Sequence, residues 1–358
     1  MKQDILKWIR PEIRTLNAYQ VADASGLIKL DAMENPYSLP DELLAEWQKR
    51  LANAPLNRYP DPAASALRAQ IARVMQVPAV AETVLGNGSD ELIQMLVMAV
   101  AAAGRCIMSF EPGFVMYGMI SRFVGVEYVG VPLADDFSID MAATEAALQE
   151  HQPAVIFIAY PNNPTANLFD AKDIERIIEL APGLVVVDEA YQPFAQQSFM
   201  PLLEKYEQLL VMRTVSKMGL AGLRLGVLCG HPELVAEIDK VRLPYNINVL
   251  TQQTAGFALE HIEVLEQQAA SIREQREIML QQLSAMEAIE TFPSHANFIL
   301  FRLLRGDANV VFARIRDAGV LIKNMKANDG PLKNCLRVTV GTPKENSLFM
   351  NALITAVN

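Results

Sequence analysis

The sequence is poor in the residues that build disulfide scaffolds and metal centres. It has 3 cysteines and 4 histidines among 358 residues, and it contains neither a C-x-x-C pair nor an H-x-x-x-H pair. An odd number of widely spaced cysteines argues against a disulfide framework and fits a reducing compartment. We therefore expect buried thiols and no metal site. Because the charged N-terminus lacks the apolar core of a secretory signal, we also expect a cytoplasmic protein.

Long apolar runs and positive charge are also scarce. The longest apolar-rich stretch, residues 92–103, is interrupted by Gln94, and it is shorter than the roughly 20 residues that span a bilayer. The chain carries 31 basic and 41 acidic side chains, a formal net charge of −10. A field of this sign repels phosphate polymers. The two shortages predict a protein with neither a membrane nor a nucleic-acid partner.

What the chain contains instead is an alternation of short β-rich runs and helical stretches. The runs at 154–159 and 184–187 are apolar at every position, which is typical of strands buried on both faces. Alternation at this spacing predicts an α/β fold, with a large domain whose mostly parallel sheet lies between helices. The predicted strands are 105–110, 125–131, 154–159, 184–188, 209–214 and 225–229.

The pattern changes near residue 243, and a chain of this length favours two domains. A long charged stretch with helical spacing precedes three strand-like runs, at 297–301, 320–323 and 336–340. The last helix is predicted to begin at Thr342, with Glu345 completing a capping box. These features predict an N-terminal arm over residues 1–30, the large domain over 31–245 and a smaller α+β C-terminal domain over 246–358.

Polar and ionisable residues come at the ends of three predicted strands. Asn163 follows the run at 154–159, Asp188 ends the next run, and Lys217 follows the one after that. Because ligands bind outside the carboxyl ends of the strands in open α/β sheets, we expect these side chains to meet in one site. Upstream, the Gly-Asn-Gly-Ser-Asp segment at 86–90 precedes a helical stretch and offers free backbone N–H groups to an anion.

Taken singly, each feature has a plainer explanation. Residues 86–90 alone would be a turn with a helix cap, and a lysine at a strand end is usually a surface cation. Other chemistries lack their motifs. No G-x-x-x-x-G-K-S/T accompanies Asp188, Glu91 stands where a dinucleotide fingerprint needs glycine, and no G-x-S-x-G marks a hydrolase nucleophile. The plainer explanations do not predict that all the features occur together in this order.

The combination fits pyridoxal phosphate. This cofactor needs a lysine for its Schiff base, a carboxylate for its ring nitrogen, hydrogen bonds to its phenolic oxygen and a cup for its phosphate. Lys217 and Asp188 can supply the first two, and Asn163 with Tyr191 can supply the third. The candidates for the phosphate cup are Gly88, Ser89, Asp90, Ser216 and Arg224.

Along nearly its whole length the chain resembles the fold-type I pyridoxal-phosphate aminotransferases, and within them the histidinol-phosphate branch. The block around Lys217 is highly specific for the fold type, and the blocks that contain Tyr19 and Arg337 indicate the branch. The blocks that carry the resemblance are residues 16–20, 34–36, 57–61, 86–91, 160–165, 188–191, 216–224 and 335–342.

The resemblance implies a role for each residue of the catalytic group. Lys217 would form the Schiff base and then shuttle the substrate proton. Asp188 would pair with the ring nitrogen, while Asn163 and Tyr191 would bond the 3′-oxygen. Phe114 stands where the family stacks an aromatic ring on the cofactor.

The resemblance also implies a homodimer with shared active sites. In such a dimer Tyr59 would reach the cofactor phosphate of the other subunit. Arg337 would bind the anionic group of the substrate, helped by Tyr19. The residues for which the resemblance implies substrate contacts are Tyr19, Asn35, Lys323 and Arg337.

Three departures from the family pattern change local expectations. Ala166 stands where the family commonly has glycine, and alanine can serve there only if its φ is negative. The spacing from Lys217 to Arg224 is one residue shorter than in many members, so we expect a tighter loop. Lys323 replaces an arginine of many members, and a point-charge ammonium cannot reproduce a planar fork.

The reaction that the resemblance implies has two halves and passes through pyridoxamine phosphate. L-glutamate would leave as 2-oxoglutarate, and a keto phosphate, imidazole acetol phosphate, would become L-histidinol phosphate. Two relatives of the same fold stay open as alternatives, an aromatic amino-acid aminotransferase and a threonine-phosphate decarboxylase. Less favoured are a cofactor-binding regulatory module without turnover, and an α/β protein with a chance lysine at position 217.

Overall fold

The computed structural model describes residues 5–18 and 21–357, in which strands and helices alternate as far as the last third of the chain. The strands are β1 (Ile28–Lys29), β2 (Glu82–Gly86), β3 (Cys106–Glu111), β4 (Glu127–Pro132), β5 (Val155–Ala159), β6 (Leu184–Asp188), β7 (Leu209–Thr214), β8 (Gly226–Gly230), β9 (Ile289–Thr291), β10 (Phe298–Leu303), β11 (Val320–Leu321), β12 (Lys323–Asn324) and β13 (Cys335–Thr339). The helices are α1 (Pro11–Arg14), α2 (Asp41–Leu51), α3 (Ser65–Val74), α4 (Ser89–Val100), α5 (Met116–Val124), α6 (Met141–His151), α7 (Ala171–Leu180), α8 (Gln192–Ala195), α9 (Pro232–Asp239), α10 (Val249–Glu260), α11 (Ile262–Ser284), α12 (Ala308–Asp317) and α13 (Pro343–Val357).

The main sheet has seven strands in the order β2-β8-β7-β6-β5-β3-β4. The pairs from β7 through β6, β5 and β3 to β4 are parallel, whereas β8 is antiparallel to both of its neighbours. Every residue of β5 is buried, and α7 covers the sheet with Ile174, Ile177 and Ile178. The predicted α/β fold with a mostly parallel sheet between helices is therefore confirmed.

Two strands at one side of this sheet differ from expectation. The run predicted at 225–229 is β8, which pairs antiparallel because residues 215–225 hold only short 3₁₀ turns, too little chain for a crossover helix. The edge strand β2 was not among the predicted strands. It begins with an exposed glutamate and a threonine, Glu82 and Thr83, so it lacks the continuous apolar run that marks β5 and β6.

A second, four-stranded sheet has the order β12-β13-β10-β9 and is antiparallel. The 23-residue helix α11 contributes Ala269, Ile272 and Met279 to the core of this region. The predicted capping box is confirmed, since the Thr342 amide donates to Glu345 Oε2 at 2.8 Å and the Glu345 amide donates to Thr342 Oγ1 at 3.3 Å. The second sheet thus matches the smaller α+β region predicted for the C-terminal part of the chain.

The domain boundaries themselves stay a prediction. α10 lies beyond the predicted boundary after residue 245, yet it packs against α2 and α3 of the first region. In the arm, β1 pairs in parallel with β11 of the C-terminal region. All three cysteines are buried free thiols, as expected. Within the described residues, no helix combines the length and apolar character needed to cross a membrane.

Candidate active site

The carboxyl ends of β5, β6 and β7 open into one cleft, which we call the strand-end cleft. Its position follows from the parallel pairing of these strands, since parallel strands end at the same edge of a sheet. The predicted site residues that line it are Ser89, Asp90, Phe114, Asn163, Asp188, Tyr191, Ser216, Lys217 and Arg224. Nine residues drawn from separate parts of the sequence therefore meet in one place.

Lys217 lies in a 3₁₀ turn, Ser216–Met218, that follows β7. Its Nζ donates to the main-chain oxygen of Ala32 at 3.1 Å. Burial, and after it the positive charge of Arg337, lowers the pKa of Lys217 to about 8. An amine with such a pKa is partly neutral near physiological pH, which is the form that attacks an aldehyde.

Asp188 ends β6, and its carboxylate is 4% exposed. Its Oδ2 accepts a hydrogen bond from the hydroxyl of Tyr117 at 2.8 Å, and its Oδ1 accepts one from the Ala190 amide at 3.1 Å. Burial raises the pKa of Asp188 to about 6. Because burial disfavours the ionised carboxylate, a cation that enters the cleft, such as a protonated ring nitrogen, stabilises that ionised form.

A chain of three side chains closes another side of the cleft. The Arg337 guanidinium donates to Asn163 Oδ1 at 2.6 Å, and Asn163 Nδ2 donates to the Tyr191 hydroxyl at 3.2 Å. Arg337 also donates to the main-chain oxygen of Asp31 at 3.0 Å and lies over the ring of Phe298. The guanidinium of Arg337 therefore fixes the orientation of the Asn163 amide. The Asn163 amide and the Tyr191 phenol lie side by side in the cleft lining.

The anion end of the cleft is built at the start of α4. Gly88 precedes the helix with φ +88°, and Arg224 forms an ion pair with Asp90 at 3.0 Å. A Cβ on Gly88 would lie 2.5 Å from the Arg224 guanidinium, and one on Gly226 would lie 2.8 Å from the main chain of Gly88. Glycine is therefore required at both positions, where main-chain N–H groups and a guanidinium converge on one point.

Ser216 and Phe114 complete the predicted cofactor contacts. The Ser216 hydroxyl is buried and accepts a hydrogen bond from Thr214 Oγ1 at 2.9 Å. The ring of Phe114 lies edge-on to Tyr117, with 5.4 Å between centroids, and forms part of the cleft wall. A flat ring can therefore be covered by Phe114 inside the cleft.

Gly88 and Arg337 adjoin residues that line the cleft without lining it themselves. Tyr59, Asn35 and Lys323 also do not line the cleft in this single chain. Tyr59 is 80% exposed and stacks on Tyr245 with 4.4 Å between ring centroids. The Asn35 amide donates to the Met218 carbonyl at 3.0 Å and so braces the turn that carries Lys217. Lys323 is an exposed residue of β12 that pairs across the sheet with Arg337. Tyr19 lies outside the described residues. The roles implied for these residues stay predictions.

The expectation for Ala166 is wrong. Its φ is +65°, in the left-handed region, instead of negative. The reason is a tight turn in which its amide donates to the Asn162 carbonyl at 2.9 Å, while its own carbonyl accepts from the His295 amide at 2.8 Å. Left-handed backbone costs an alanine about 1–2 kcal/mol. Complete burial of its methyl group offsets that by about 0.8 kcal/mol.

Sequence reasoning missed several residues of the site. Tyr117 touches Asp188 from behind, and Met33 and Thr214 line the cleft. The Ala32 carbonyl is a main-chain group, so no residue type could have marked it. Tyr117 could have been suspected only because it is a tyrosine in a predicted helical stretch, three residues after Phe114.

The donor set of the cleft fits pyridoxal phosphate. It offers an amine with a lowered pKa, a buried carboxylate, an amide–phenol pair and an anion site at a helix start. These four groups match the aldehyde, the ring nitrogen, the ring oxygen and the phosphate of that molecule. Among the residues that the structure describes, no group of three His, Cys, Asp or Glu side chains is arranged to hold a metal ion.

Known proteins were compared with this chain by sequence and by structure. The sequence is 53% identical over 352 residues to histidinol-phosphate aminotransferase 2 of Nitrosococcus oceani, covering 98% of both chains. It is 53% identical over 354 residues to histidinol-phosphate aminotransferase 1 of Ralstonia nicotianae, covering 98% of this chain and 94% of that protein. The crystal structure of histidinol-phosphate aminotransferase from Sinorhizobium meliloti in complex with pyridoxal-5′-phosphate superimposes with a TM-score of 0.86 at 23% identity, covering 99% of this chain and 98% of that one, and shows the same fold. Residues 25–353 match the family model for aminotransferase class I and II, and the chain therefore belongs to the class I and II aminotransferase family.

Proposed function

We propose that the protein is a histidinol-phosphate transaminase that uses pyridoxal phosphate. It exchanges an amino group between L-glutamate and imidazole acetol phosphate, giving 2-oxoglutarate and L-histidinol phosphate. The observation that carries the proposal is the meeting of Lys217 and Asp188 in the strand-end cleft, in a chain about half identical over its full length to proteins of that name.

The residues that would hold the cofactor follow from the donor set. Asp188 would receive the ring nitrogen, Asn163 and Tyr191 the ring oxygen, and Phe114 would cover the ring. The phosphate would lie at the α4 start, among Ser89, Asp90, Ser216 and Arg224. When bound, pyridoxal phosphate supplies an aldehyde for the substrate amine and a ring that withdraws electrons from the substrate Cα.

Lys217 is the proton carrier of the proposal. Its amine has a pKa lowered to about 8, so it can accept a proton from the substrate Cα and return one without a large free-energy cost. Its hydrogen bond to the Ala32 carbonyl holds Nζ on one side of the cleft. Tyr191 lies beneath it, with Nζ 5.8 Å from the ring centroid.

Arg337 is the proposed anion receptor for the substrate. A guanidinium fork can pair bidentately with a carboxylate or with a phosphate ester, and both kinds of substrate must use this site in turn. Its bonds to Asn163 and to the Asp31 carbonyl fix its orientation before substrate arrives. Lys323 on the neighbouring strand adds a second positive charge near it.

The proposal includes a homodimer in which each site draws on both subunits. The proposal is supported by the exposure of Tyr59, which stacks on Tyr245 at the surface and is accessible to another chain. A cytoplasmic location is proposed as well, because all three cysteines are free thiols.

The test is an assay of the purified protein with L-histidinol phosphate and with L-phenylalanine as amino donors and 2-oxoglutarate as acceptor. We expect kcat/KM to favour histidinol phosphate by at least about a hundredfold, since its phosphate ester carries more negative charge than the phenylalanine carboxylate and can pair with both Arg337 and Lys323. Lys217→Ala serves as the inactive control. Preference for phenylalanine, or release of carbon dioxide from threonine phosphate, would assign the protein to another branch of the fold.

A further inference from the structure

Tyr117 occupies a position behind the strand-end cleft that the proposed function does not use. It lies on α5 and is 0% exposed, so it cannot touch a molecule bound in the cleft. Its hydroxyl donates to Asp188 Oδ2 at 2.8 Å. Asp188 in turn lines the cleft. The ring of Tyr117 also contacts Phe114 of the cleft wall, but its hydroxyl acts on a bound molecule through the Asp188 carboxylate.

The ring of Tyr117 is fixed on two sides. It stacks on Phe157 of β5, with 4.7 Å between centroids and 7° between planes. The ring of Phe114 meets it edge-on at 83°. Stacked and edge-on contacts of this kind favour one ring orientation. The hydroxyl is therefore aimed at Asp188 before a ligand binds.

The two hydrogen-bond donors to Asp188 bind different oxygens of its carboxylate. Tyr117 occupies a lone pair of Oδ2 and the Ala190 amide occupies one of Oδ1. A carboxylate has about four acceptor positions, so both oxygens keep capacity for a donor in the cleft. The two hydrogen bonds therefore fix the plane of the carboxylate and leave acceptor positions that a donor in the cleft can use.

The hydrogen bond also acts on the charge of Asp188. Burial raises the pKa of Asp188 to about 6, and the Tyr117 hydroxyl opposes that rise because it stabilises the ionised form. Burial raises the pKa of Tyr117 well above its ordinary value. Tyr117 therefore remains a donor throughout the working pH range and cannot become a second anion beside the carboxylate.

We propose that Tyr117 is a positioning residue for the cofactor: its hydroxyl holds Asp188 as an oriented carboxylate, so that the ring nitrogen of pyridoxal phosphate binds in its protonated form. This inference rests on the proposed function only in that the cofactor is pyridoxal phosphate. It assigns to the Tyr117 hydroxyl the role of keeping Asp188 ionised. Tyr117→Phe removes that one oxygen atom and leaves the ring contacts in place.

The experiment compares two cofactors in the full-length apo protein. Pyridoxal phosphate carries the ring nitrogen, and its 1-deaza analogue carries a C–H group in the same place. We expect Tyr117→Phe to raise the Kd for pyridoxal phosphate about tenfold, as loss of a hydrogen bond to a charged group does. The Kd for the deaza analogue should change by less than about twofold, because its C–H group does not pair with the Asp188 carboxylate.

Tyr160→Phe is the matched control. Tyr160 is also buried, at 2% exposed, and its hydroxyl donates to Gln197 Oε1 at 2.6 Å instead of to the Asp188 carboxylate. This variant should leave the ratio of the two Kd values unchanged. In an Asp188→Asn background, Tyr117→Phe should lose its selective effect, since coupled residues are not additive.

A second readout is the ¹⁵N chemical shift of the labelled cofactor ring. In Tyr117→Phe the ring nitrogen should lose its proton at a lower pH than in the parent. Equal weakening of both cofactors would make Tyr117 a packing residue and overturn the inference, as would an unchanged affinity for pyridoxal phosphate. If the parent binds the cofactor but does not turn over histidinol phosphate, the proposed substrate fails and the positioning role stands.

Discussion

Two ionisable side chains of the strand-end cleft have pKa values displaced in opposite directions. Burial lowers the pKa of Lys217 to about 8 and raises the pKa of Asp188 to about 6. Both displacements mean that the folded protein holds these groups at a cost in stability when the cofactor is missing. Binding of pyridoxal phosphate offsets that cost, which is one reason to expect tight binding.

At the residue scale, Asp188→Asn tests the charge at the ring nitrogen. We expect the variant to fold and to keep some cofactor, while kcat falls by about two orders of magnitude or more because the ring withdraws electrons less strongly. Asp239→Asn is the control, since Asp239 pairs with Arg242 at the surface. Turnover close to the parent value in Asp188→Asn would remove this residue from the mechanism.

The Lys217 amine also predicts how the stability of the apo protein depends on pH. Its pKa is about 8 when folded and near 10.5 when unfolded. The unfolded chain therefore binds more protons between these values, and stability rises with pH across that window. Apo Lys217→Met should be more stable than the apo parent at pH 7, by about 3 kcal/mol. Urea unfolding at pH 7 and pH 10 should show the difference shrinking; a constant difference would contradict the pKa.

At the scale of elements, the start of α4 shows why two glycines that both have a positive φ are not equivalent. Gly88 has φ +88° and Gly104 has φ +77°. A Cβ on Gly88 would displace Arg224, whereas one on Gly104 meets no heavy atom of the described chain within 4 Å. A positive φ is common to both positions, but Gly88, with ψ 167°, lies in a region that is open essentially to glycine alone. Gly88 is also the one of the two whose Cβ would meet a steric contact.

The pair Gly88→Ala and Gly104→Ala separates these two effects. Both variants should lose about 1–3 kcal/mol of folding free energy from backbone strain. Gly88→Ala alone should raise the Kd for pyridoxal phosphate, by about tenfold or more, because the guanidinium is pushed from the anion site. Thermal unfolding and cofactor titration measure the two quantities separately. Equal affinities in the two variants would show that the phosphate does not lie at the α4 start.

Much of the cleft was predictable from the sequence, because the ends of buried parallel strands can be predicted from it. A buried parallel strand is an unbroken apolar run, and its last residue then locates Asn163, Asp188 and Lys217 at one edge. The edge strand β2 and the antiparallel direction of β8 were not predictable in this way. Nor was the φ of Ala166, whose carbonyl accepts a hydrogen bond from the amide of His295, a residue distant in sequence. Tyr117 was missed because its partner is 71 residues away.

At the scale of the whole molecule, the proposed dimer makes each site a joint product of two chains. Lys217→Ala and Tyr59→Asp should each be nearly inactive as homodimers, the second because an anion faces the cofactor phosphate. In a mixed dimer one site carries both lesions and the other carries neither. Random mixing of equal amounts should restore about a quarter of parental activity, by two-fold statistics.

Native mass measurements must first show that mixed dimers formed. Activity that stays at the level of the separate variants would then place Tyr59 within its own site or outside any site. Leu56→Ala is a suitable control for the surface near Tyr59, since Leu56 is also strongly exposed. This variant, mixed with Lys217→Ala, reports the activity of a heterodimer in which only one lysine is missing.

The main-chain contacts of the two cations carry a consequence for mutational scanning. Lys217 is held by the Ala32 carbonyl, and Arg337 by the Asp31 carbonyl. A carbonyl survives every substitution of its own side chain. A saturation library scored for histidine prototrophy would therefore report which side-chain sizes position 32 tolerates. It would not report the main-chain oxygen that accepts the hydrogen bond of the Lys217 amine. Deletions and insertions in this segment, which move the oxygen itself, would reveal what the substitutions hide.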